Sequence, residues 1–315
     1  MCKIKKNFLE KKKIGKKYSL IGKIFHINKG DNFYNIDLLL PEQFTINIKI
    51  EDFSEVILKE RIYFFEVICS IEKEKKFFIS KKNILIEDIL SLEKVFKFYS
   101  YFFTCSPISF ALIGKKIEIF LSFIKNKILF KLTANLYNKN KIKFLISPAA
   151  FKMHHAYYGG LSYHTLSMLE IAQFFLKKYS YLNPDLLYAG IILHDMAKVQ
   201  EFNFEQKIYN KEGILLGHLI LGVNNIHEEA LNLGYHNKEE ILLLKHLLIS
   251  HHGLLEYGSA KKPQIAEALL LWFLDDIDSK INSLGEMLDV TQKGCFTEPL
   301  NVLLKKCFYK PNLFK

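Results

Sequence analysis

Arginine is almost missing from this sequence. Its 315 residues contain one, Arg61, although lysine and arginine together number 44 against 33 acidic residues. The net charge of +11 is therefore a lysine charge. Two readings fit it. Abundant Lys, Ile, Phe and Asn are what an AT-rich coding bias produces; excess positive charge also draws a phosphate-rich partner such as nucleic acid. Cysteine is scarce as well. Cys2, Cys69, Cys105, Cys295 and Cys307 are odd in number, far apart, and form no CxxC. That excludes a disulfide framework and an all-thiolate metal site, and suits a reducing cytoplasm. Long apolar runs are absent too. Leu186–Leu193 and Ile241–Ile249 are too short to span a bilayer, so no membrane partner is expected. Met1–Lys17 has eight lysines, one glutamate and no apolar core. It reads as a basic arm, solvated or touching nucleic acid, and not as a signal peptide.

What is present is a chain half hydrophobic and long enough for two domains. The predicted class is a multidomain α and β protein. A five-stranded barrel of the OB type spans 18–86, a helical connector 87–146, an all-α bundle 147–290 and a tail 291–315. Tyr18–Ile27, Phe33–Leu40, Gln43–Ile50, Arg61–Ser70 and Lys76–Ser80 are short and rich in Ile, Phe, Tyr and Val. Turn residues such as Asn28–Asn32 and Pro41-Glu42 separate them. Such barrels carry single strands on aromatic platforms, and Phe25, Phe33 and Tyr34 are the candidates here; each also reads as ordinary barrel core. Beyond the barrel, Ile89–Phe103 and Lys115–Leu136 read as helices, with Pro107 between them. Asn183 caps a helix with Pro184 at its first position. Asn237 and Glu240 read as a capping box, and Pro263 as the start of the last helix.

Ten of the eleven histidines lie between His154 and His252. His164, His194-Asp195, His218, His251-His252 and Asp275 each fall on or at the end of a different helix. Bundle proteins build metal sites from side chains that converge in this way. A buried His-Asp pair needs a partner, and a cation is the obvious one. Mixed imidazole and carboxylate ligands suit manganese, iron, zinc, nickel or cobalt. An aspartate flanked by histidines suits two cations about 3.5–4 Å apart, which lower the pKa of water and neutralise phosphate charge. His227, His236 and His246 lack such context and read as structural or surface residues.

The order His164, His194-Asp195, Asp275 resembles the HD-domain metal-dependent phosphohydrolases. His154-His155-Ala156-Tyr157-Tyr158-Gly159-Gly160-Leu161-Ser162-Tyr163-His164-Thr165 is similar to a stretch of the YhaM-type 3′→5′ exoribonucleases. So are Ser250-His251-His252-Gly253 through Ser259, and Asp275-Asp276-Ile277-Asp278-Ser279-Lys280. Departures are Ala197 in a glycine place, Tyr163 where an acid precedes the histidine, and two acids at 275–276. The resemblance implies a barrel followed by an HD domain that hydrolyses single-stranded RNA, and also single-stranded DNA, to nucleoside 5′-monophosphates. It implies two divalent cations, manganese first, with magnesium, cobalt, nickel or iron as alternatives. Asp195 would bridge them, with His164, His194 and Asp275 on one and His218 and His251 on the other. His252 would be a ligand or would support one. Lys198 would meet the scissile phosphate, and His155 or His154 would protonate the leaving oxygen or orient a ligand. Tyr257 would line the substrate path. A cytoplasmic location is expected, and a homo-oligomer stays open. Two alternatives compete. A phosphohydrolase of small nucleotides would not need the barrel. A binding protein with a degenerate core would not need the full ligand set.

Overall fold

The computed structural model describes residues 8–30, 33–51, 59–72, 75–150, 155–203 and 208–313. They divide into two compact units, 1–105 and 106–315.

The first unit is the expected barrel. Its strands are β1 (Lys17–Lys29), β2 (Tyr34–Leu39), β3 (Thr45–Ile50), β4 (Ile62–Glu72) and β5 (Lys75–Leu85). They close in the order β1-β2-β3-β5-β4. Closure depends on the length of β1: Lys17–Lys23 pairs with β4 and Lys23–Lys29 with β2, both antiparallel. The one parallel pairing joins β3 to β5. Alternation explains the sheet. In Thr45–Ile50 the isoleucines at 46, 48 and 50 point inward and Thr45, Asn47 and Lys49 outward. Ile24, Ile36, Leu38, Phe65, Val67 and Phe78 fill the interior with them. Each such side chain contributes about 1.5–3 kcal/mol by leaving water. The register slips between Ile24 and His26, so Phe25 is the extra residue of a bulge. Helices α1 (Ile86–Ile89) and α2 (Leu92–Phe102) complete the unit. Arg61 stands 3.4 Å from Glu87, which also accepts from the Tyr99 hydroxyl.

The second unit is helical: α3 (Phe110–Ser122), α4 (Lys127–Ile146), α5 (Gly160–Lys178), α6 (Pro184–Leu193), α7 (Lys198–Glu201), α8 (Lys211–Asn232), α9 (Glu239–Ser250) and α10 (Ala266–Val290). A two-stranded hairpin, β6 (Phe202–Asn203) with β7 (Ile208–Tyr209), sits between α7 and α8. Helix α6 is the axis of the bundle. Every residue from Leu186 to Leu193 is buried, and α3, α4, α5, α9 and α10 all pack on it. A helix apolar all round has to be enclosed in this way. Asn183 Oδ1 accepts from the Leu186 amide at 3.1 Å, with Pro184 at the first position, as the sequence predicts.

Four expectations need correction. The stretch 87–146 is not a separate connector, because α3 and α4 bury Phe110, Ile113, Ile117, Leu129, Leu132 and Leu136 in the bundle. The capping box at Asn237 does not form. Lys238 occupies the cap without a side-chain bond, and the Glu240 carboxylate accepts from Asn126 Nδ2 at 3.0 Å instead. The last helix starts at Ala266 rather than Pro263. The segment after α10 is folded back rather than a loose tail. Phe296 bridges Tyr309, and Lys310 Nζ donates to the Leu288 and Thr291 carbonyls at the end of α10. No helix among the described residues is long and apolar enough to cross a membrane.

Candidate metal centre

His194 ends α6 and Asp195 follows it, so the pair is buried because the whole axial helix is buried. Helix α9 brings His251 to the same point. It can approach because Gly190 has no side chain: a Cβ there would stand 2.3 Å from Leu247. The His194 and His251 rings are 5.1 Å apart. Helix α5 supplies His164, α8 supplies His218 and α10 supplies Asp275.

Each of these four imidazoles is held by its Nδ1. His194 donates to the Ile191 carbonyl at 2.8 Å and His251 to the Leu248 carbonyl at 2.7 Å. His164 bonds Asp278 at 2.6 Å and His218 bonds Glu201 at 2.9 Å. All four partners are acceptors, so every Nδ1 carries the hydrogen, and wherever the ring is neutral its Nε2 presents a lone pair. Each Nε2 faces a carboxylate oxygen: on His164, which holds a second proton in the absence of a cation, the contact is an ion pair, and on the other three rings, when neutral, two acceptors meet. His164 Nε2 is 3.3 Å from Asp275 Oδ1 and His194 Nε2 is 3.4 Å from Asp195 Oδ2. His218 and His251 Nε2 stand 3.4 and 3.6 Å from Asp195 Oδ1.

Two classes of distance thus separate the two sides of each ring. The Nδ1 contacts are hydrogen bonds. The Nε2 contacts are longer and leave His194 Nε2, His218 Nε2, His251 Nε2 and Asp195 Oδ1 buried with no hydrogen bond among the described residues. Buried acceptors facing one another are costly without a positive charge between them. Ligand atoms about 2.0–2.1 Å from a cation stand about 3.0–3.4 Å apart, which is near the spacing found here. The donor set and its burial therefore fit divalent cations. Within the cluster, His164, His194 and Asp195 can share one ion, and His218, His251 and His252 another. His155, His164 and Asp278 also lie close together. Their 2.6–2.8 Å separations are hydrogen-bond lengths, so the protein already satisfies that group.

Electrostatics keep the carboxylates charged. Burial opposes the charge on Asp195, but the Lys198 ammonium at 2.7 Å and then His194 overcome it and hold the group well below its usual range. Asp275 and Asp278 are also held low against burial, chiefly by hydrogen bonds from His164 and from His155 respectively. For His164, burial is outweighed by Asp275 and Asp278, which raise it to about 10. Burial, then the charges of His251 and His218, push His252 down to about 3 and keep it neutral.

The structure brings His164, His194, Asp195, His218, His251, His252 and Asp275 together. Of the two neighbouring acids, Asp275 faces His164, while Asp276 is drawn outward into an ion pair with Lys280 at 2.7 Å. Lys198 lies on Asp195. His155 does not face the cluster. Its Nε2 donates to Asp278 at 2.8 Å and its Nδ1 takes the Tyr157 hydroxyl at 2.7 Å, so both ring nitrogens are engaged. The Gly159-Gly160 turn passes close to the His155 carbonyl, where a Cβ on Gly160 would stand 2.0 Å from the oxygen. His154 and the Tyr257 side chain lie outside the described residues. On the barrel, Phe25 is 46% exposed. Phe33 is half-buried, with the Lys49 ammonium 4.3 Å from its ring centre. Tyr34 is partly buried and packs against the barrel core, in keeping with the core reading given beside the platform one. His246 accepts from the Gln264 amide at 3.0 Å, and His227 bonds Lys245.

Sequence reasoning missed two carboxylates. Asp278 accepts from His155, His164 and Ser167, and Glu201 holds His218. The signal for Asp278 was its position three residues after Asp275, on the same helix face. Glu201 had no comparable signal.

A buried cluster of imidazoles and aspartates at the crossing of five helices defines a class. Residues 161–280, within the helical unit, match the family model described as "HD domain". Over 198 residues the chain is 41% identical to the "3'-5' exoribonuclease YhaM" of Geobacillus sp. (strain WCH70), which bears out the resemblance read from the motifs. That match covers 62% of this chain and 61% of the relative.

Proposed function

We propose that this chain is a metal-dependent 3′→5′ exoribonuclease that trims single-stranded RNA, and single-stranded DNA as a second substrate, to nucleoside 5′-monophosphates. The observation that carries the hydrolytic part is the ring of buried Nε2 lone pairs around Asp195. The relative's name supports the direction and the substrate. Two divalent cations are inferred, manganese first, in the positions given by His164, His194, Asp195 and Asp275 and by Asp195, His218, His251 and His252. Bound there, they supply Lewis acidity toward the phosphoryl oxygens and lower the pKa of water.

The chain's own residues do the rest. Nδ1 bonds lock the four imidazoles in one tautomer and one orientation, so no reorganisation is needed when charge develops. Asp195 stays ionised and links the two halves. Lys198 keeps an ammonium beside Asp195, where it meets negative charge on the phosphate. Water attacks phosphorus and gives up a proton to solvent, the bond from phosphorus to the 3′-oxygen breaks, and that oxygen takes a proton from solvent, because both nitrogens of His155 are engaged. The barrel holds the strand upstream, through Phe25, Phe33 and outward lysines.

The decisive assay uses 5′-labelled single-stranded RNA with Mn²⁺, run beside dinucleoside polyphosphates and cyclic dinucleotides. A ladder that shortens from the 3′ end is expected. Turnover of the small nucleotides with RNA intact would replace this reading by the small-nucleotide one. Metal-independent RNA binding without any turnover would leave a binding protein.

A further inference from the structure

The two halves of the centre are built differently. His164, His194 and Asp275 come from uninterrupted stretches of α5, α6 and α10. His218 comes from a helix that is broken at the residue before it. Gly217 has φ 71° and ψ 162°, while the residues on either side are helical. That region of backbone space is essentially reserved for glycine. The break lets His218 turn its ring to Glu201 on one side, at 2.9 Å, and to Asp195 on the other, at 3.4 Å.

Glu201 is itself fixed from two directions. Its carbonyl accepts from the Asn210 amide at 2.9 Å, and a Cβ on Gly213 would come within 2.3 Å of the same oxygen. The start of α8 is therefore pressed onto α7, and the side chain of Glu201 is left directed at His218. Space is not the constraint at Gly217, because a Cβ there would stand 3.8 Å from Glu201 Oε1, an ordinary contact. The constraint is the backbone angle. An alanine relieves the strain by returning to helical angles, and that rotates His218 away from Asp195. Nothing in this change touches α5, α6 or α10.

We propose that Gly217 and Glu201 are positioning residues for one half of the centre, and that together they decide whether the cation at His218, His251 and His252 is held. This rests on the reading that the cluster holds two cations. The full-length protein is loaded with Mn²⁺, freed of excess metal, and assayed for metal per chain and by electron paramagnetic resonance. Wild type should hold two ions with the spectrum of a coupled pair. Gly217→Ala should hold one, with the six-line spectrum of an isolated ion, and the second ion should bind at least tenfold more weakly. Gly234→Ala also replaces a positive-φ glycine, but at the far end of α8 with open space around it, and should keep two ions. If Gly217→Ala does not fold, Glu201→Ala should show the same loss, and Glu201→Gln, which can still accept from Nδ1–H, should restore the ion.

Gly217→Ala with two ions at wild-type affinity overturns the proposal. So does equal loss of both ions with the fold intact. A folded Glu201→Ala that keeps both ions has the same effect. Wild type that binds a single ion overturns the two-cation reading and this proposal with it. RNA cleavage is not read in this experiment, so failure of the exoribonuclease assignment shows up separately.

Discussion

The barrel and the helical unit both bury apolar side chains, but they differ in the polar groups they bury among them. Among the described residues, the one buried polar side chain of the barrel is Ser80; its interior is otherwise Ile, Leu, Val, Phe, Tyr and Cys. The helical unit buries His155, His164, His194, Asp195, Glu201, His251, Glu267 and Asp278. An apolar interior stabilises, so whatever the barrel recognises has to meet its outer face. A charged interior costs stability unless its charges are matched, and such groups concentrate at functional sites for that reason. In the helical unit the chemistry is inside, and the fold around it is arranged to satisfy one edge of each imidazole and leave the other.

The sharpest way to break this contrast is Asp195→Ala. Loss of the shared ligand should remove several kcal/mol of charge stabilisation. RNA cleavage should then fall about 10³-fold or more, with loss of bound metal. Activity within tenfold of wild type would remove Asp195 from the centre of the account.

Asp278→Asn tests whether the buried carboxylate behind His164 matters although it faces no lone-pair cluster. Metal affinity should drop about 10–100-fold, measured by competition with a chelating dye.

The charged interior should also show in pH dependence. Without a cation, His164 keeps its proton up to about 10, because Asp275 and Asp278 outweigh burial. Its folded value lies above the unfolded one of about 6.5. Its contribution to metal-free stability is therefore full below about 6.5 and lost as pH rises through about 10. Cation binding must displace that proton. Affinity for the His164 half should rise about tenfold per pH unit between about 7 and 10. Calorimetry in two buffers of different ionisation enthalpy at pH 8 counts the proton released; none released would contradict the assignment.

The barrel side of the contrast predicts smaller effects, on binding alone. Phe25→Ala removes a stacking platform worth about 1 kcal/mol or more. KM for single-stranded RNA should rise about fivefold with kcat unchanged. A fall in kcat at constant KM would place Phe25 outside strand binding. The smallest effect is expected for Asp276→Asn, below about twofold on kcat/KM, because that acid pairs with Lys280 at the surface. A loss as large as that of Asp195→Ala would show that Asp276, and not Asp275, is the acid of the cluster.

Much of this was readable from residue order. Alternating Ile in Thr45–Ile50 and the apolar run of Leu186–Leu193 are local patterns that need no tertiary information. The barrel and the buried helix followed from them. The clustered histidines named residues that the fold brings together, because a buried His-Asp pair demands a partner wherever it sits. Less readable were the features that depend on direction. Phe25 points outward because of a bulge that appears only when β1 is paired with β2.

By itself, then, the sequence determined a barrel followed by a helical bundle, and the histidines and aspartates that meet in it. Tertiary structure alone decided which atoms face each other. Asp275 and Asp276 are neighbours in the chain, yet the rotation of α10 sends one to His164 and the other to Lys280. His155 resembles a proton donor in its motif, yet Asp278 and Tyr157 take both its nitrogens. Gly217 looks like an ordinary glycine within a helix, yet its backbone angle turns His218 into the site. In each case the deciding quantity is the direction a side chain takes, and packing against elements distant in the chain sets that direction.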